Sequence, residues 1–367
     1  MAAGAEQALF TREALVAIER ELERNGQNLT LPATRGGVQE IIPNEFQHIK
    51  DKDEEPGESI KFPLITLHGE YEYNRLTEKG SDNEYRCVSI IPSYRSAPLR
   101  TEEDLFMHIV KETMKTEHRE TDEIKDLKEC LLRHPEVMTR IRKIVCFDLT
   151  PLDPRDHDEL AERNISEESL SELDEEDRDS LMITRSMEQY VAVHDLAWFI
   201  QQNFGPKYER PEVYIQNPLY SSLDRKLLAK SLRFKDVGGF GAKGFLLVDE
   251  DTMVISSDDE DCVREVVLDV SRPACLWVRE SSDLPKRTRQ IVDADYIESH
   301  RKPGYRTGLT FPGNRVYFRR SGGPEDAAEE TLKLNTDYVE PDPYHMPGFS
   351  PISRRPSPDF PPAGEHE

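Results

Sequence analysis

The sequence lacks long apolar stretches, and this lack excludes two classes of protein. No segment approaches the roughly 18–20 consecutive apolar residues that a membrane-spanning helix needs. Near the N-terminus, Glu6, Arg12 and Glu13 interrupt any apolar run before it could form the central part of a signal peptide. We therefore expect an intracellular protein of the cytoplasm or the nucleus, with no membrane partner.

Cysteine is also scarce, and its five positions are scattered without a C-x-x-C pair. A disulfide framework or a Cys-based zinc site would need an even or closely spaced set. The sequence also lacks the H-E-x-x-H motif of zinc proteases and the G-x-S-x-G elbow of serine hydrolases. We therefore predict no metal site and no cofactor. Enzymatic activity stays open, and the residues favour a protein that is not an enzyme.

Positive charge is in deficit, with 48 Lys and Arg residues against 72 Asp and Glu residues and a net charge of −24. A chain of this charge repels phosphate backbones over most of its surface. The one basic concentration, residues 286–306, contains only two interleaved aromatic residues and no nucleic-acid-binding module. We therefore expect no nucleic-acid partner.

Two segments account for most of the net negative charge. Residues 151–180 contain 13 acidic and three basic residues, while residues 322–367 contain ten and three, together with nine of the 25 prolines. Both compositions are typical of chain that cannot bury enough apolar surface to fold. We predict a disordered acidic insert at 151–180 and a disordered, Pro-rich acidic tail at 321–367. In the tail, Ser350 and Ser357 each precede a proline and are candidate phosphorylation sites.

Residues 1–137 predict an N-terminal α+β extension. Its first helix spans residues 9–25, where Leu15, Ile18 and Leu22 recur at helical spacing between a Thr11 cap and an Asn-Gly stop. The other predicted elements are strands at 62–67 and 87–91, a helix capped by Thr101, and a helix at 124–132.

Residues 138–320 alternate between strand and helix patterns. The predicted strands are 144–147, 213–215, 245–248, 252–255 and 274–278, and the predicted helices are 186–203, 223–232 and 263–270. This alternation predicts an α/β domain with a Rossmann-like, mostly parallel sheet that is flanked by helices. Ligands of such sheets bind outside the carboxyl ends of the strands.

Four polar residues are candidates for ligand binding at that edge. Asp148 follows the first predicted strand, Gln216 and Asn217 end the second, and Asp224 stands at the start of the next helix. Amide and carboxylate groups at strand ends are usable ligand contacts. The same residue types also cap helices and form turns, which is the more frequent role.

A glycine-rich motif, GFGAKG at residues 239–244, matches the dinucleotide-binding pattern. In that pattern the glycines must follow a strand and open a helix. Here they precede the predicted strand at 245–248, so the sequence favours a glycine-rich turn.

The ordered set of these core segments resembles a known family. Residues 142–147, 189–200, 213–218 and 244–254 resemble, in this order, the sensitivity-to-red-light-reduced (SRR-like) domain, and residues 264–274 resemble its fungal branch. The resemblance implies a Rossmann-like α/β domain with no established reaction. Its members are linked to light and circadian signalling in plants, microtubule-related phenotypes in yeast and the regulation of haem biosynthesis in animals.

The sequence departs from the family pattern at the strand ends. Family members place glycines after the first strand, where this chain has Asp148 and Thr150, and an aspartate is common where this chain has Asn217. The resemblance therefore implies that any ancestral ligand loop has changed here.

Three hypotheses of function follow. The first is a regulatory protein with an SRR-like domain that acts through protein partners and has no recognised catalytic site. The alternative is a Rossmann-like enzyme or binding protein for a small metabolite or nucleotide, using Gln216, Asn217 and Asp224 with Asp249. The third is an acidic adaptor that works through its tail. A filled or acid-blocked edge near Asp148 and Gln216 would favour the first hypothesis.

Overall fold

The computed structural model describes residues 8–24, 26–31, 40–44, 59–67, 88–96, 122–152, 175–204, 210–257, 262–280, 284–299, 311 and 314–320. Every described residue belongs to one compact unit, which lies within Met1–Ala328. The predicted tail with Ser350 and Ser357, the helix predicted after Thr101 and residues 153–174 of the predicted insert lie outside the described residues.

Among the described residues up to Ser96, the chain forms one helix and two antiparallel strand pairs. These elements are α1 (Arg12–Arg24), β1 (Asn28–Leu31), β2 (Glu40–Pro43), β3 (Ser59–Leu67) and β4 (Val88–Ser96). β1 pairs with β2, and β3 pairs with β4. The predicted cap of α1 is confirmed, because the Thr11 hydroxyl accepts a hydrogen bond from the Ala14 backbone N–H at 3.2 Å.

The remaining part alternates strands with helices. In chain order the elements are α2 (Asp122–Leu132), α3 (Pro135–Met138), β5 (Lys143–Phe147), α4 (Glu175–Asn203), β6 (Glu212–Gln216), α5 (Ser222–Leu227), β7 (Lys235–Asp236), α6 (Lys243–Leu247), β8 (Thr252–Ser256), α7 (Val263–Val270), β9 (Cys275–Arg279), α8 (Lys286–Asp295), β10 (Tyr296–Ser299) and β11 (Asn314–Arg319). A single π-helical turn, Leu228–Leu232, continues α5.

Seven strands form one sheet in the order β10-β11-β9-β8-β5-β6-β7. The pairs from β7 through β9 are all parallel, while β11 is antiparallel to both β9 and β10. The predicted mostly parallel α/β sheet is thus confirmed. The chain adds β6 and β7 on one side of β5, and it adds β8 and β9 on the other side. The boundary between β5 and β8 is therefore the topological switch point, where such sheets bind ligands.

Both faces of the sheet are covered, as β5 illustrates. Val145 and Phe147 join the hydrophobic cluster that α1, α6, α7 and α8 form on one face. Cys146 points to the other face, where burial raises the pKa of its thiol and where Tyr190 of α4 lies close. Burial on both faces explains the uninterrupted apolar run in the β5 sequence.

Two predicted elements differ from the structure. Residues 245–248 were predicted as a strand, but the chain forms the short helix α6 there, because it must cross over one face of the sheet between β7 and β8. The helix predicted to begin at Ser186 begins at Glu175 instead, and Ser186 is buried inside it. The sequence of this helix begins with three acidic residues, Glu-Glu-Asp, which suits the earlier start because carboxylates favour helix N-termini.

The earlier start of α4 also shortens the predicted acidic insert. Residues 175–180 belong to α4, and at the other end Pro151 and Leu152 are buried against the body of the protein. Within the described residues, no helix combines the length and the apolar character needed to cross a membrane.

Candidate functional site

The chain turns sharply where β5 ends at the switch point. Asp148 has a φ of 56°, in the left-handed region that aspartate tolerates better than most residues. Its backbone N–H donates to the Gln216 carbonyl at 3.3 Å, and the Ser257 hydroxyl donates to its carbonyl. Asp148 therefore ties β5 to the ends of its two neighbours, β6 and β8.

The loop that follows, residues 148–152, covers the carboxyl ends of the central strands. Leu149 and Leu152 are both 0% exposed. The Thr150 N–H donates to Oε1 of Gln189 at 3.0 Å, and the Leu152 N–H donates to Oδ1 of Asp224 at 3.0 Å. Apolar burial and side-chain acceptors thus hold this edge loop against the sheet.

Asn217 contacts the same loop. Its Nδ2 donates to the Leu149 carbonyl at 3.0 Å, and its Oδ1 accepts from the Leu219 N–H at 2.9 Å. The side chain is buried, and both ends of its amide are engaged by backbone groups. Its position in the structure is that of a turn-forming residue that also anchors the edge loop.

Asp224 combines two structural tasks. It forms a capping box at the start of α5, in which its Oδ2 accepts from the backbone N–H of Ser221 at 2.8 Å and from the Ser221 hydroxyl at 2.9 Å. Its other oxygen accepts from Leu152, as described above. The residue is 1% exposed, so its carboxylate faces protein donors rather than solvent.

Gln216 connects the edge to the glycine-rich segment. Its Oε1 accepts from the backbone N–H of Gly244 at 2.6 Å. A Cβ added at Gly244 would lie 2.8 Å from that oxygen and 2.9 Å from the Phe147 ring. Glycine is required at this position because the loop, the last residue of β6 and the last residue of β5 meet there.

Two tyrosines complete the edge and were not predicted. The Tyr190 hydroxyl donates to the Thr150 carbonyl at 2.7 Å and lies 3.1 Å from the Tyr220 hydroxyl, which itself contacts the Leu149 carbonyl at 3.3 Å. Burial raises the pKa values of both phenols well above the ordinary value for tyrosine. The sequence contained a signal for Tyr190, which lies on the apolar face of a predicted helix, but nothing in it indicated this polar contact.

The β8 side of the switch point is closed by another residue that sequence analysis missed. Asn314 is 0% exposed, and its Nδ2 donates to the Ser256 carbonyl at 2.8 Å. Beside it the Trp277 ring packs on Phe311 with a centroid distance of 4.3 Å. Within the described residues, the Asn314 Oδ1 and the Trp277 Nε1 are buried without a hydrogen-bond partner.

The structure brings together Asp148, Gln216, Asn217 and Asp224 and separates Asp249 from them. Asp249 precedes β8 and therefore lies at the amino edge of the sheet. There its Oδ2 pairs with the Lys143 ammonium at 2.7 Å, and its Oδ1 accepts from the Thr252 hydroxyl at 2.8 Å. A site that combines Asp249 with Gln216 is excluded by this placement.

The glycine-rich loop, residues 238–243, holds a carboxylate from a distant part of the chain. Glu19 of α1 is 3% exposed, and its Oε1 accepts from the backbone N–H groups of Ala242 at 2.8 Å and Lys243 at 3.1 Å. The Phe240 N–H lies 3.2 Å from both oxygens. Burial raises the pKa of Glu19, and the N–H donors of Ala242 and Phe240 and the Lys243 ammonium oppose this rise.

The position of this loop differs from the position predicted from the sequence. The glycines follow a strand, β7, and precede a helix, α6, so their surroundings are those that the dinucleotide pattern requires. The prediction of a strand after them was wrong. Their backbone donors hold a side chain of the protein itself, however, and no sequence signal connected Glu19 with them.

Among the described residues, no group of three or more His, Cys, Asp and Glu side chains is arranged to hold a metal ion. Comparisons of the chain with protein-family models, with curated proteins and with solved structures found no match in any of the three.

Proposed function

We propose that this chain is a regulatory protein with an SRR-like α/β domain, which acts through protein partners and has no recognised catalytic site. The observation that carries the proposal is the covered carboxyl edge of the sheet. Gln216, Asn217 and Asp224, the side chains that would serve a ligand there, hold backbone groups of the protein instead.

The free energy of opening the edge loop, residues 148–152, indicates that this loop covers the carboxyl ends of the strands permanently. A ligand that entered at the switch point would have to lift Leu149 and Leu152 out of a buried environment. Exposing each fully buried leucine side chain to water costs about 1.5–3 kcal/mol of folding free energy. Each buried polar group left without a partner would cost about 1–3 kcal/mol more. A weakly bound metabolite does not supply this much free energy.

The backbone at Asp148 supports the resemblance to the SRR-like family. Family members carry a glycine-containing loop after the first strand, and glycine adopts positive φ without strain. This chain keeps a positive φ at Asp148 although it has lost the glycine. The backbone shape expected of the family is therefore compatible with the altered sequence.

The test combines a ligand screen with recovery of partners. We expect a panel of nucleotides and small metabolites to leave the melting temperature of the full chain unchanged. We also expect Asp148→Asn to recover the same partners as the original chain, because asparagine tolerates the same φ and only the charge is lost. A metabolite that binds saturably and slows amide exchange at residues 149–152 would contradict the proposal, as would loss of partners by the folded variant.

One observation favours the alternative of a small-metabolite or nucleotide site. In the part of the chain that the structure describes, the Asn314 Oδ1 acceptor and the Trp277 Nε1–H donor are buried without partners near the carboxyl ends of β8 and β9. A molecule with one donor and one acceptor would satisfy both groups. The same screen tests this alternative, since a ligand seated there would protect these strand ends and Asn314→Leu would abolish its binding.

A further inference from the structure

Positively charged residues lie together at the amino edge of the sheet, beside β6 and β7. These strands are parallel, and Lys235 lies opposite Tyr214 in their register, so the residues that precede the two strands lie side by side. Arg210 precedes β6, and Arg233 precedes β7. Burial and the repulsion from Arg233 lower the pKa of Arg210 to about 10, although Asp195 opposes this effect. An anion bound between the two arginines would relieve their repulsion.

The π-helical turn before β7, Leu228–Leu232, brings further positive charge to this edge. Lys230 and Arg233 are exposed, whereas Leu232 and Phe234 are buried against the body of the protein. The apolar side chains thus anchor the turn, and its cations face solvent. Such a surface is unusual in a chain whose net charge is −24.

Three cations at this edge form no ion pair among the residues that the structure describes, and together they make up the basic surface: Arg210, Lys230 and Arg233. Their neighbours are neutralised by the protein itself. Arg225 pairs with Asp236 at 3.1 Å, and Lys235 pairs with Glu212. The basic surface therefore keeps positive charge that an external carboxylate can neutralise.

The backbone at Arg233 favours another type of residue. Its φ is 60° and its ψ is 31°, and from this left-handed conformation its N–H donates to the Leu228 carbonyl and ends the helical turn. Glycine and asparagine end helices in this way at lower cost than arginine. Strained backbone of this kind is concentrated at functional sites. Stability alone therefore does not explain an arginine at this position.

Arg210 is held in place by α4. Its guanidinium carbon lies 5.2 Å from the centre of the Trp198 ring, and its Nη2 donates to the His194 carbonyl at 3.4 Å. Both Arg210 and Trp198 are half-buried. A guanidinium that is already fixed on an aromatic ring loses little conformational entropy when it binds a carboxylate. Arginine and tryptophan are also the residues that most often dominate the affinity of protein interfaces.

We propose that the basic surface is a docking site for an acidic segment of a protein partner. This inference rests on the proposed action through protein partners and names the place where one of them binds. A short acidic segment fits three cations, whereas a long nucleic acid would be repelled by the rest of a chain with net charge −24. The basic surface lies at the opposite edge of the sheet from the covered loop at residues 148–152, so the two can be tested separately.

The test measures binding of a defined acidic probe to the full chain. The probe is a fluorescein-labelled peptide of eight glutamates, and fluorescence anisotropy at low ionic strength follows its binding. We expect the original chain to bind the peptide and Arg233→Gly to raise the dissociation constant about tenfold. The urea midpoint of Arg233→Gly should equal or exceed that of the original chain, because glycine adopts this φ without strain. Weaker binding without weaker folding separates a docking role from a structural one.

A second variant, Lys230→Gln, changes an exposed side chain and should raise the dissociation constant about threefold. It provides the binding test if Arg233→Gly fails to fold. The matched control is Arg289→Gln, which removes an exposed arginine from α8, in the other basic segment of the chain. It alters the net charge by the same amount as either variant and should leave binding unchanged.

Three results would overturn the proposal: an original chain that does not bind the peptide, folded variants that bind it as well as the original, or an equal loss in Arg289→Gln. Tighter binding of a single-stranded oligonucleotide with eight phosphates would also overturn it, because the surface would then serve a nucleic acid. None of these results affects the ligand screen or the partner recovery of Asp148→Asn, so failure of this docking site is distinguishable from failure of the proposed function.

Discussion

At the scale of single residues, Asp224 shows how a candidate ligand group becomes a structural one. Its two oxygens accept three hydrogen bonds, two from Ser221 and one from the edge loop. A ligand would have to compete with all three. The sequence placed Asp224 correctly at the start of a helix, but only the structure reveals the contact with Leu152, since that partner is distant in the chain.

The first prediction concerns the removal of this carboxylate. Asp224→Ala would leave the N–H groups of Ser221 and Leu152 buried without acceptors, so we expect the free energy of unfolding to fall by about 2–4 kcal/mol. Urea denaturation measures the change. Asp293→Ala, at an exposed position of α8, is the control and should alter stability by less than about 0.5 kcal/mol. Equal stability of the two variants would show that Asp224 does not hold the edge loop.

The second prediction concerns the left-handed backbone at Asp148. Glycine adopts this φ without strain, so Asp148→Gly should keep the free energy of unfolding within about 1 kcal/mol of the original. Valine is β-branched and excluded from this region, so Asp148→Val should lose about 1–3 kcal/mol. Chemical denaturation of the two variants side by side provides the measurement. A valine variant as stable as the glycine variant would contradict the positive φ.

At the scale of elements, the sequence predicted those whose pattern is local. β5, β6, β8 and α7 were identified because each is a continuous apolar run or an amphipathic repeat between turn signals. α6 was misassigned because the four-residue apolar run at 245–248 is too short for a periodicity that separates strand from helix. β7 was missed because it contains two residues, and its pairing with β6 depends on the neighbour rather than on its own composition.

The site was predictable to a similar extent. Parallel strands bring Asp148, Gln216 and Asn217 to one edge, and the alternation of strands and helices was enough to place them there. What fills that edge was not predictable, because Leu149 and Leu152 are apolar residues in a loop beside an acidic segment. Glu19 and the glycine loop lie in separate elements, and only the docking of α1 on the sheet brings them together.

The third prediction uses the ion pair that joins β5 to the turn before β8. Partial burial alone would raise the pKa of Asp249, but the Lys143 ammonium and the Thr252 hydroxyl outweigh it and leave this pKa below its ordinary value. A lowered folded-state pKa means that the pair stabilises the protein above the unfolded pKa of aspartate. This contribution is lost as the pH falls through the folded pKa.

We therefore expect the urea midpoint of the original chain to fall more steeply between pH 5 and pH 3 than that of Asp249→Asn, which has no carboxylate to protonate. Near neutral pH the variant should be the less stable of the two. Asp293→Asn, which alters an exposed aspartate, should retain the original pH profile. Parallel profiles for Asp249→Asn and the original chain would show that the pair contributes nothing.

At the scale of the whole molecule, the net charge of −24 is unevenly distributed. Residues 151–180 carry −10 and residues 322–367 carry −7, so the other 291 residues carry only −7.

The sequence predicts an N-terminal extension that ends at residue 137, and its first helix packs on the α/β domain. α1 contributes Leu15, Ile18 and Leu22 to the same hydrophobic cluster as the sheet and its helices. The N-terminal helix is thus part of the core that the sheet needs, rather than an appendage to it.

The last prediction tests whether α1 and the sheet unfold together. Ile18 is 0% exposed and packs among residues of the sheet and its helices, so Ile18→Ala should lower the free energy of unfolding by about 2–5 kcal/mol. The two tryptophans of the chain, Trp198 of α4 and Trp277 of β9, both lie outside α1, so their fluorescence reports on the rest of the fold. If α1 belongs to the cooperative unit, the fluorescence midpoint in urea should shift downward with Ile18→Ala, and a single transition should remain.

The control is Arg20→Ala, on the exposed side of the same helix, which should leave the midpoint in place. A fluorescence transition that does not respond to Ile18→Ala would mean that α1 folds apart from the sheet, and the loop at residues 238–243 would then hold Glu19 only as a loosely attached group.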